Sequence, residues 1–80
     1  MSARITKKDL EASVRAINRR LGFSDPQWDT VGAIRLDGAY GGYSVLVNTA
    51  GGVRELLHGH HPVREVHRFL AGMIEGLNLR

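Results

Sequence analysis

Four histidines are the side chains of this chain best suited to chemistry. His58, His60 and His61 fall within four residues, and His67 follows a short way into the next helical segment. Imidazoles this close can chelate zinc, nickel or copper, and Glu65 offers a fourth ligand. The spacing of Glu65 from the histidines matches no zinc motif, and neighbouring loop residues rarely converge on a tetrahedral ion without support. A histidine acting as a general base needs a nucleophile or a carboxylate in reach, and the sequence sets none beside these. The cluster therefore predicts a solvated loop over 58–61, with no resident metal and no cofactor. No catalytic residue is assigned, and the chain is expected not to be an enzyme.

Three other constellations bear on function. Lys8, Arg15 and Arg19 project within about 40° of one another on a helix, with Arg4, Lys7 and Arg20 nearby. Such a ridge can sit on phosphates by releasing counterions, or it can be an ordinary solvated face. The net charge of +3 permits nucleic-acid contact without requiring it. Gly38-Ala39-Tyr40-Gly41-Gly42 is rich in glycine, but it lacks the G-x-x-x-x-G-K-[ST] pattern and does not open a helix after a strand. A nucleotide-binding loop is therefore not expected. Tyr40, Tyr43 and Trp28 are the candidates for partner contact, because aromatic side chains offer large, rigid, amphipathic surface. Each can equally fill space in the core.

The elements that must position these residues are legible from periodicity and punctuation. Thr6 suits an N-cap and Asp9 the N3 place of a capping box, with Ile5 and Leu10 as a hydrophobic staple. Leu10, Val14, Ile17 and Leu21 form an apolar stripe, and Gly22 suits the left-handed residue after the helix. A helix over 7–21 follows. A connector containing Asp25-Pro26 and Trp28 leads to three short strands. The first carries Val31, Ala33, Ile34 and Leu36, the second runs from Tyr43 to Asn48, and the third from Val53 to Leu57. Short loops make them an antiparallel meander. A turn at Asp37-Gly38 would pair Leu36 with Ala39. A turn at Gly41-Gly42 is preferred, because it lengthens both strands and sets Tyr40 opposite Tyr43. Pro62 suits the first position of a second helix over 62–77, whose stripe is Val63, Val66, Phe69, Leu70, Met73, Ile74 and Leu77. Gly72 and Gly76 share a face and are expected to let this helix approach a neighbour closely, whether sheet, first helix or a second copy.

The order α-β-β-β-α predicts one small α+β domain over 1–80, a three-stranded antiparallel meander with two helices packed on one face. A chain of 80 residues has limited core, and with no cysteine it has no disulfide or thiolate-metal staple. A homodimer is one source of further buried area. The polar N-terminus predicts no signal peptide, no apolar run reaches membrane-spanning length, and the absence of cysteine fits a cytoplasmic location.

At Leu36-Asp37-Gly38-Ala39-Tyr40-Gly41-Gly42-Tyr43 the chain resembles a group of small bacteriophage-encoded proteins. The resemblance extends to Thr6-Lys7-Lys8-Asp9-Leu10, to Asn48, to Gly51-Gly52-Val53 and to the final amphipathic helix near Arg64-Glu65. It implies a phage origin and carries over no functional residue. The element order is also similar to that of double-stranded-RNA-binding domains. Those place a lysine-rich segment at the start of the second helix, where this chain has His60-His61-Pro62-Val63-Arg64-Glu65, a weak phosphate grip at neutral pH. The expected role is a non-catalytic phage accessory protein that binds a host or phage protein through the tyrosine hairpin or the sheet face away from the helices. The alternative is nucleic-acid binding through Lys8, Arg15 and Arg19.

Overall fold

The first helix, α1 (Lys7–Arg20), begins where the residue types dictate. The Thr6 backbone N–H donates to Asp9 Oδ2 at 2.8 Å, which satisfies a donor that the first turn leaves free. At the other end Leu21 is the C-cap and Gly22 takes φ +100°. Phe23 N–H donates to the Asn18 carbonyl at 2.8 Å and Gly22 N–H to the Arg19 carbonyl at 3.1 Å, the paired bonds of a Schellman stop. Leu21, expected in the apolar stripe, is 40% exposed, because the chain has already turned away from the core at the cap.

The structure, a computed structural model, describes residues 4–24, 30–39 and 41–79, with the backbone alone at Ala39. After α1 come β1 (Ile34–Ala39), β2 (Gly42–Thr49), β3 (Gly52–His61) and α2 (Val63–Asn78). The sheet order is β1-β2-β3, antiparallel throughout, and both helices pack against one face. Leu10 and Ile17 of α1, Ile34 of β1, Val45 of β2, and Val66 and Leu70 of α2 form the core, each no more than 4% exposed. Val14, Phe69, Met73, Ile74 and Leu77 pack around it half-buried. Among the described residues, no helix is long and apolar enough to cross a membrane.

Four expectations are corrected. β1 starts at Ile34 rather than at Val31. Gly32 sits at φ +91° in a turn closed by Ala33 N–H donating to the Thr30 carbonyl at 3.2 Å, and Val31 is left 58% exposed. The first hairpin adopts neither expected register: Gly38 lies opposite Tyr43 and Ala39 opposite Gly42. Relative to the preferred pairing this is a slip of two residues, which keeps every side chain on its face, so hydrophobic alternation could not detect it. Two glycines fix the choice. A Cβ at Gly38 would stand 3.2 Å from the Tyr43 ring, and one at Gly42 would stand 2.9 Å from the His61 carbonyl oxygen of the neighbouring strand. Gly42 therefore belongs in the strand, not in the turn.

The third correction is the expected loop over 58–61, which is the end of β3. The strand gets there through irregular pairing. From Tyr43 to Val45, β2 advances two residues while β3 runs four, from His61 back to Leu57. Gly59 takes φ +77° within that stretch, and its N–H donates to Glu55 Oε2 at 3.1 Å. Pro62 accordingly serves as the N-cap of α2 rather than its first residue. Fourth, Gly72 and Gly76 are exposed and a Cβ at either would meet nothing within 4 Å, so among the described residues they mediate no close approach to sheet or first helix.

A test of the glycine argument follows. Gly42→Ala should destabilise the protein by about 1–3 kcal/mol, since its methyl group meets backbone rather than a movable side chain. Thermal unfolding measures the loss. A neutral result would mean that β2 and β3 are not this close at Gly42.

Candidate partner-binding surface

Side chains alternate across a strand, so the core assignments of Ile34, Leu36, Val45 and Val47 put Arg35, Asp37, Ser44 and Leu46 on the face away from the helices. Register adds Glu55 opposite Leu46 and Val53 opposite Asn48. Among the described residues, no helix or strand covers this face. Its groups differ in how well they are satisfied. His60 Nε2 lies 3.2 Å from Asp37 Oδ2, a contact that bridges β1 and β3 over the small Ser44 of β2. Ser44 Oγ donates to the Leu57 carbonyl at 2.7 Å. Glu55 is turned to the Gly59 N–H.

Arg35 is the exception. It shares a row with Leu46 and Glu55 across the three strands, yet no acceptor among the described residues meets its buried Nε. The half-buried side chain lines a cleft of about 290 Å³ at the β2–β3 turn. Val31 and Val53, 58% and 50% exposed, stand on its apolar side, with Asn48 and Thr49 also in the wall.

The two edges of the sheet are also unequal. Ile34 N–H donates to Asn18 Oδ1 at 2.8 Å, and Asn18 Nδ2 donates to the Ile34 carbonyl at 3.0 Å. A buried side chain of α1 thus takes the place that another strand would occupy beside β1. No such clamp lies along β3 among the described residues.

The expected site residues scatter. Tyr43 is half-buried against the core, with its ring over Gly38, and the observed register sets Gly38 opposite it in place of the expected Tyr40. Tyr40 and Trp28 lie outside the described residues. Lys8, Arg15 and Arg19 are all exposed on α1, and none of them is in an ion pair among the described residues. The histidines diverge. His60 turns to Asp37, while His61 has Nε2 donating to the His58 carbonyl at 2.6 Å and Nδ1 3.5 Å from Glu65 Oε2. Among the described residues, no three His, Cys, Asp or Glu side chains come together as a metal-binding set.

Sequence reasoning missed Arg35 and Asn18. Arg35 is one cation flanked by Ile34 and Leu36, an ordinary solvent-facing residue until the register reveals that both acids on its face are engaged elsewhere. Asn18 lies beside the apolar stripe, and only its burial between helix and strand marks it. Compared with protein-family models, curated proteins and solved structures, the chain matches none.

Proposed function

We propose that this chain is a phage accessory protein that acts without catalysis, as a protein-binding module in the cytoplasm of the host cell, on a host or phage protein. The observation that carries the reading is the sheet face opposite the helices, not covered by a helix or strand among the described residues and combining exposed Val31 and Val53 with an arginine whose buried Nε meets no acceptor there. Exposed apolar side chains beside a buried donor with no acceptor are what a partner's surface would cover. The phage assignment rests on the octapeptide at 36–43. The contact surface is moved from the tyrosine hairpin to this face, because Tyr43 is committed to the core side.

The test is capture from host lysate with nuclease present, identification of the retained protein, and titration of the purified pair. A single nuclease-resistant protein that binds directly supports the reading. Retention of nothing but nucleic acid ends it.

A second reading is nucleic-acid binding along α1, favoured by the exposure of Lys8, Arg15 and Arg19 on one side of the helix. It predicts a gel shift that weakens steeply with salt. Replacing Arg15 and Arg19 with glutamate should abolish that shift and leave binding through the sheet face intact. If the wild type retains neither DNA nor RNA at low salt, this reading fails.

A further inference from the structure

We infer that the Arg35 cleft receives an acidic side chain of the partner together with an aliphatic residue beside it. The inference rests on the protein-binding reading and names the chemistry of the occupant. Charge complementarity supplies the acid. Among the described residues, three ionisable groups besides Arg35 lie on this face, and each is engaged: Asp37 with His60, and Glu55 with the Gly59 N–H. Only Arg35 is left, with its Nε buried and no acceptor among the described residues. A buried donor without a partner is costly in the free protein, and a guanidinium is shaped to take a carboxylate. Arg35 is half-buried before anything binds, so it gives up less hydration and less side-chain freedom on docking than an exposed arginine would.

The walls supply the aliphatic neighbour. Val31 and Val53 flank the cleft, and a sugar-phosphate chain would gain little from covering them. The cleft, about 290 Å³, lies at the small end of the range that holds drug-sized ligands, so it suits one or two side chains rather than a cofactor.

The minimal probe is sodium isovalerate, a carboxylate on a branched aliphatic group. It is titrated into the full ¹⁵N-labelled chain while the Arg35 Nε–Hε and Val53 amide signals are followed. Isovaleramide and inorganic phosphate serve as comparisons. Saturable shifts of both signals with isovalerate are expected, with at least fivefold weaker binding of the uncharged amide. Arg35→Gln and Val53→Glu should each abolish the response. The second places an acid beside Arg35 at an exposed site, so it should remain folded, as a dispersed spectrum will show. No saturable shift with isovalerate overturns the inference, and so does a stronger response to phosphate.

With an identified partner, Val53→Glu should raise the Kd at least tenfold. A partner that binds this variant as tightly as the wild type overturns the cleft and leaves the protein-binding reading standing. A wild-type chain that binds no protein fails that reading, whatever isovalerate does.

Discussion

Leu70→Ala is expected to lower the unfolding midpoint by about 10–25 °C. Leu70 is fully buried in α2, in the same cluster as Val45 of β2 and Leu10 and Ile17 of α1. Truncating a buried leucine removes its transfer free energy and leaves a cavity, at a cost of about 2–5 kcal/mol. A domain of this length has about 4–12 kcal/mol of stability in all, at typical values per residue. Each kcal/mol moves the midpoint of so small a domain by about 4–8 °C. The same substitution at a half-buried rim position such as Met73 should cost less, because part of that side chain already meets water. Differential scanning calorimetry or thermal circular dichroism decides. A shift under about 4 °C would mean that α2 does not present this face to the sheet.

Asn18→Leu should cost about 2–4 kcal/mol even though it adds apolar surface to a buried site. The gain in hydrophobic contact is outweighed by what the amide leaves behind. Ile34 is 4% exposed, and its N–H and carbonyl both depend on Asn18. Each buried backbone group left without a partner costs about 1–3 kcal/mol. Urea denaturation gives the magnitude, and hydrogen exchange localises it: the Ile34 amide should lose protection well before the amides of central β2. An unchanged exchange rate at Ile34, or a cost below about 0.5 kcal/mol, would show that water replaces the amide and that the clamp is dispensable.

Much of the architecture was legible in the residues, for reasons that are local. α1 and α2 announce themselves through stripes of period near 3.6 and through Thr6, Asp9 and Gly22, all of which act within one turn of the helix end. The three strands were found because β-branched runs alternate with glycine. What remained hidden depends on distances between elements. The slip of the first hairpin preserves both faces, so only the fit of the Tyr43 ring over Gly38 and of Gly42 against His61 selects it. The end of β3 was hidden because Gly59 and three histidines have the composition of a loop, while the irregular pairing lets that stretch stay in the sheet. The surface residues followed the same rule. Tyr43 is visible as an aromatic, but its commitment to the core is not. Arg35 acquires its character from the hydrogen bonds of Asp37 and Glu55, which depend on the register of three strands rather than on the residues beside it in sequence.

The open space around Gly76 has a practical side. The chain contains no cysteine, and Gly76 is exposed on α2, in the layer remote from the Arg35 cleft. Gly76→Cys would create a unique thiol, so a fluorophore or a tether could be attached there without touching the surface proposed to receive a partner.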